Sequence, residues 1–234
     1  MSSNIARKEL KQDKFAVEVG HTVDYFANHR KNFTLYGSIA LVIVLVITGG
    51  MYFRNRQIAA RNQALGEAMA LSSVQVGPAV AGGPPSYPTE AAKDAALTKA
   101  LTKITTDYSG SDEAYIARYV LAGHTADGGK LDDAKKQYQE VADHASTNYA
   151  SLAKLAIAQI DFAENRNAEA ETLLKDLMDH PTDLVSKAQA TIVYAKGIGA
   201  TKTDEARKLL TALITPTTDI SPIAGAALAE LPQK

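Results

Sequence analysis

Five histidines are the first residues to test for chemistry: His21, His29, His124, His144 and His180. A zinc protease needs two of them spaced around a Glu as H-E-x-x-H, and none is so placed. His144 and His180 stand thirty-six apart, each at the end of a helical pattern. There the negative end of the helix dipole suits an imidazole better than a metal would. Gly128-Gly129-Lys130 has the ending of a phosphate-binding loop but not the rest of it. Position 124 is His where that motif needs Gly, and Leu131 stands where Ser or Thr would reach the magnesium. No G-x-S-x-G occurs, so there is no nucleophile elbow. The acidic pairs Asp132-Asp133 and Asp204-Glu205 open helical patterns, where carboxylates complement the dipole. They read as caps and solvated faces, not as general acid and base. The chain has no cysteine, which excludes disulfides, thiolate catalysis and Cys-ligated metals. The expectation is a binding protein and not an enzyme, with no catalytic, metal or cofactor site and no small-molecule substrate.

A binding protein depends on where it is held, and residues 33–53 address that. FTLYGSIALVIVLVITGGMYF carries no charge, and Arg30 and Lys31 precede it while Arg54 and Arg56 follow. As a helix it would extend about 31 Å, against a hydrocarbon core of roughly 30 Å. Eleven of its residues are Leu, Ile, Val or Phe, which favours insertion by roughly 3 to 6 kcal/mol before the Gly, Ser and Thr costs. It is too long for the apolar region of a secretory signal, and no A-x-A pattern follows closely. The run therefore reads as an uncleaved signal-anchor. The whole tail 1–32 carries six Lys/Arg, although the residues nearest the span give two before it and three after. The greater total places the N-terminus in the cytoplasm, since a long C-terminal domain can translocate regardless of charge. Within the tail, Phe15, Val19, Val23 and Phe26 make one apolar face. That face suits a helix resting on the membrane surface or docking on a membrane partner.

Beyond the span, 54–76 continues as helix, with Ala60, Ala64, Leu65, Ala68, Met69 and Leu71 as its apolar stripe. Residues 77–89, VGPAVAGGPPSYP with its neighbours, form a Gly/Pro-rich loop. Residues 90–234 carry sixteen Lys/Arg against twenty-one Asp/Glu, a mildly acidic balance that argues against nucleic acid.

This last region repeats itself. Ala134, Ala170 and Ala206 are thirty-six apart, with Tyr138, Leu174 and Leu210 four later and Val141, Leu177 and Leu213 seven later. Leu97, Leu101 and Ile104 form an earlier copy, one residue out of phase. Partner helices over 112–126, 150–164 and 184–198 keep the same register, as Ala117 and Ala153 show, and Leu121, Ile157 and Val193. Each unit is thus helix, turn, helix, and single units must stack to bury both apolar faces. Ser221 as N-cap and Pro222 at N1 would start a final capping helix over 221–231. The fold class is all-α: one N-terminal transmembrane helix followed by an α-solenoid of helical hairpins.

The period, with Ala170, Leu174 and Leu177 on a second helix and then Pro181, resembles the tetratricopeptide repeat. In this chain the first helices carry small and aliphatic residues where that repeat has an aromatic, a Leu-Gly pair and a Tyr. With the tail LKQDKFAVEVGHTVDYFANHRK, one span and an Arg/Gln/Ala-rich helix ahead of the repeats, the layout resembles a bacterial family of ancillary Sec translocon subunits. The repeat domain of that family is related to that of a periplasmic cell-division coordinator. The resemblance implies a single-pass protein of the inner membrane with a periplasmic repeat domain. Its partners would be translocon subunits, a membrane-bound periplasmic chaperone and nascent envelope proteins. The alternative role is a scaffold for envelope assembly or division. In such a solenoid the first helices line a concave face, and Tyr115, Arg118, Lys154 and Tyr194 are the outward residues expected to meet a partner.

Overall fold

The computed structural model describes residues 30–78, 85–214 and 219–232. The amphipathic segment at 13–26, with His21 and His29, lies outside the described residues, as does much of the Gly/Pro-rich stretch. The chain divides into two compact units, 1–59 and 60–234.

Helix α1 (Arg30–Ser72) runs unbroken through and past the apolar segment. No proline interrupts it, and Ser38 and Thr48 turn their hydroxyls back to the carbonyls of Leu35 and Val44. Its apolar side chains from Leu35 to Phe53 are exposed, and the helix is long and apolar enough to cross a membrane. In the second unit, Ala64, Leu65, Ala68 and Leu71 of α1 pack with Leu97, Leu101, Ile104 and Ala117. Met69, expected in that stripe, is 41% exposed. It follows Ala68 by one residue and so projects roughly 100° around the helix from the buried edge. After α1, β1 (Gln75–Val76), at the end of the stretch expected to be helix, pairs in parallel with β2 (Ser86–Tyr87), in the stretch expected to be loop.

The repeats follow as α2 (Glu90–Asp107), α3 (Asp112–Asp127), α4 (Leu131–His144), α5 (Thr147–Ala163), α6 (Asn167–Asp179), α7 (Lys187–Ile198), α8 (Thr203–Leu213) and α9 (Ser221–Glu230). Side-chain caps start three of them: Thr89, Ser111 and Ser186 accept from the backbone N–H of Ala92, Ala114 and Gln189. The second helices of the repeats, α4, α6 and α8, follow Lys130, Arg166 and Lys202, with no side-chain cap bond. Acidic residues in their first turns supply the favourable charge instead.

Each helix packs on the next, and the first helices also touch one another, α3 on α5, α5 on α7 and α7 on α9. The alanines of the repeat explain how. Ala117, Ala134, Ala153, Ala170 and Ala206 are wholly buried, and a side chain no larger than methyl lets helix axes approach closely. A longer residue at any of them would overpack a core at native density, at a cost of about 1–3 kcal/mol. Tyr138, Leu174, Leu210, Val141 and Leu177 are buried at the following repeat positions. The first turn of α9 differs from expectation. Ile220 precedes the helix and Ser221 lies within it, its Oγ donating to the carbonyl of Leu213 at 3.4 Å.

Candidate interaction groove

The repeat period that places the alanines also places charges. Arg118 of α3 pairs with Glu140 of α4, and Lys154 of α5 pairs with Asp176 of α6 at 3.0 Å. Both members of the second pair lie thirty-six residues after those of the first. The same ion pair therefore clasps two successive hairpins. The Lys154 ammonium, by its hydrogen bond, holds the Asp176 carboxyl below its ordinary range, with His180 adding to the effect. Tyr115 lies flat against the His144 ring, centroids 6.2 Å apart and planes 10° from parallel. Arg118, Lys154 and Tyr115 are half-buried, each spending part of its surface on a neighbouring helix.

Tyr194 is a correction. It was expected to face outward and is only 3% exposed. Its hydroxyl lies 3.3 Å from carboxylate oxygens of both Glu171 and Glu205, and the Lys175 ammonium stands 5.7 Å above its ring. Burial first, and then the two carboxylates, push its pKa up to about 12. Helical periodicity puts residues 190 and 194 on one face, and Ala190 is wholly buried; the hydroxyl gave no hint that this face turned inward.

The openings lie above α3, between α2 and α4. Thr98, Thr102 and Thr105 of α2 line one wall at i, i+4 and i+7. Arg118, Leu121 and Thr125 of α3 form the floor, and Gln137 of α4 the other wall. This cavity of about 360 Å³ shares Thr98, Leu121, Thr125 and Gln137 with one of about 550 Å³ that adds His124, Lys130, Asp133 and Lys136. At the other end, Thr105 and Arg118 continue it into a third, beside Tyr115, Glu140 and His144. The three form one polar groove. Thr102, Thr105 and Thr125 donate their hydroxyl protons to Thr98, Thr102 and Leu121 carbonyls in their own helices. Their oxygens are thus left as acceptors, while Gln137 Nε2 already reaches Thr125 Oγ1 at 3.3 Å. A groove of acceptors and amides suits the N–H and C=O groups of an extended chain.

A family model described as a tetratricopeptide repeat-like domain matches residues 29–208. The chain belongs to that tetratricopeptide repeat-like family. The match takes in the long apolar helix as well as the hairpins through most of α8. No curated protein and no solved structure matches the chain. Domains of this kind are typically non-catalytic modules for protein–protein interaction. Among the described residues no three His, Asp or Glu side chains stand together as metal ligands would.

Two of the four expected contact residues, Tyr115 and Arg118, come together in the groove, and Lys154 repeats the Arg118 position one hairpin on. The threonines of α2 were not singled out from sequence. Their signal was available, since Thr98, Thr102 and Thr105 form a hydroxyl stripe on one face of a helix whose other face is Leu97, Leu101 and Ile104.

Proposed function

We propose that this protein is a membrane-anchored, non-enzymatic adaptor, an ancillary subunit of the Sec translocon that links export to periplasmic chaperones. One observation carries the reading. A single helix holds both an exposed apolar segment of membrane length and, after it, a buried edge packed into the repeat domain. A partner that meets the repeats is therefore met at the membrane, where confinement raises the effective concentration of both. The N-terminus faces the cytoplasm and the repeats face the periplasm, with Tyr115, Arg118 and Lys154 contributing to the contact surface.

Two measurements test it. Purification of the tagged full chain from membranes in mild detergent, followed by mass spectrometry, should recover translocon subunits and a periplasmic chaperone. Their reproducible absence would sink the translocon reading. Protease added to cells with a permeabilised outer membrane should cut the linker at 77–88, and protection of that linker would reverse the orientation.

A further inference from the structure

The three gaps between successive second helices can be compared position by position, because the repeat keeps its register. In the gap between α4 and α6, Lys135 and Arg166 both pair with Asp161 of α5, which is 1% exposed. Leu173 packs over the same gap against both neighbouring core clusters. In the gap between α6 and α8, Glu171 takes Lys202 at 2.7 Å and, with Glu205, the Tyr194 hydroxyl. Both gaps are closed by a carboxylate of the chain itself, from the first helix in one (Asp161) and from the second helix in the other (Glu171), paired with the basic residue that precedes the next second helix.

The first gap, between α2 and α4, has the same frame without that carboxylate. Lys130 is thirty-six before Arg166, and Thr125 is thirty-six before Asp161. The turns match as well. Gly129 and Asn165, again thirty-six apart, take positive φ of 77° and 62°. The Lys130 N–H donates to the Thr125 carbonyl at 3.1 Å, as the Arg166 N–H does to the Asp161 carbonyl at 2.7 Å. With the one-residue phase shift of α2, Thr98 takes the place of Lys135, and Gln137 takes that of Leu173; the result is the open groove. Of the acidic residues that line it, Asp133 is paired with Lys136 and Glu140 with Arg118. Lys130 is exposed and has no ion-pair partner among the described residues.

We propose that the groove between α2 and α4 takes an extended segment of a partner protein, whose Asp or Glu side chain pairs with Lys130 beside Thr125. The incoming carboxylate does there what Asp161 does in the next repeat. The wall from Asp133 to His144 would run about 16 Å along α4, room for roughly five extended residues. The threonine oxygens and Gln137 meet the backbone of that segment, so the carboxylate is the one side chain the site selects. The inference rests on the adaptor reading only in taking the occupant to be a protein.

The test uses the full chain in detergent and two labelled heptapeptides, acetylated and amidated, one alternating Thr and Glu and the other alternating Thr and Gln. Fluorescence anisotropy should show the Glu peptide binding about fivefold more tightly, the preference expected of one partly exposed ion pair. Lys130→Gln, an exposed change that leaves the core alone, should abolish that preference. Thr125→Asp should abolish it too, by supplying the carboxylate from within, and should raise the thermal midpoint. Equal binding of the two peptides, no saturable binding of either, or a Glu preference that survives Lys130→Gln each overturns the pairing. The adaptor reading fails separately, through the loss of translocon subunits from the purified complex.

Discussion

Gly197 offers a sharp test of how the first helices meet. It sits in α7, and a Cβ built on it would lie 2.1–2.4 Å from three ring atoms of Phe162, Cε2, Cδ2 and Cζ. Carbon atoms in ordinary contact lie no closer than about 3.5 Å, so the ring would have to retreat by roughly 1.4 Å. Phe162 is half-buried and packs on the core cluster that holds Leu155, Leu174 and Ile198. Its retreat forfeits packing, and overpacking of this kind costs about 1–3 kcal/mol. Against that, Ala is better than Gly in a helix by about 1 kcal/mol. The net expectation for Gly197→Ala is a loss of up to about 2 kcal/mol, at about 2–4 °C of thermal midpoint per kcal/mol in a domain of this size. Thermal unfolding followed by circular dichroism at 222 nm, on the full chain in detergent, measures it. The sign should reverse in a Phe162→Ala background, where the space is vacated and the gain in helix propensity alone remains. Gly123→Ala serves as a control, because its Cβ would meet only the Tyr138 hydroxyl at an ordinary 3.5 Å. That variant should be neutral or stabilised by up to about 1 kcal/mol. A Gly197→Ala protein more stable than the parent, or one shifted equally in both backgrounds, would refute the close approach of α5 and α7.

Two further predictions concern the ion pairs of the repeats. Asp161→Asn should destabilise by about 3 kcal/mol, since it leaves Lys135 and Arg166 facing a buried position without its charge; urea unfolding of the full chain gives the value. Acid should also loosen the repeats. The Lys202 hydrogen bond holds the Glu171 carboxyl below its usual value of 4.5, and Lys154 holds Asp176 below 3.8. Because their folded pKa values are depressed, both groups contribute stability that is present above those ordinary values and lost as pH falls through the folded ones. The thermal midpoint should therefore fall as pH drops below about 4.5, and Lys202→Gln should flatten that fall.

The parts legible in the sequence are those written as local period. A run of twenty-one residues without charge marks the long apolar helix before any packing is known. The spacing of thirty-six marks the hairpins, because Ala134, Ala170 and Ala206 must each meet a partner helix at the same point of the turn. What those signals left undecided is the direction of residues whose type tolerates either side. Tyr194 is amphipathic, and its burial depends on Glu171 and Glu205 arriving from helices on both sides of it.

Sequence alone therefore determined the all-helical class, the apolar helix and the repeat register, because each follows from side-chain spacing along a single helix. Tertiary structure decided which gaps between helices are closed and which is open. That depends on pairs such as Lys135 with Asp161, twenty-six residues apart, and on their replacement by Thr98 and Thr125 in the first gap. Two threonines among many carry no mark of function. Only the stacking of hairpins, which sets them opposite Lys130 in the place of a missing carboxylate, gives them one.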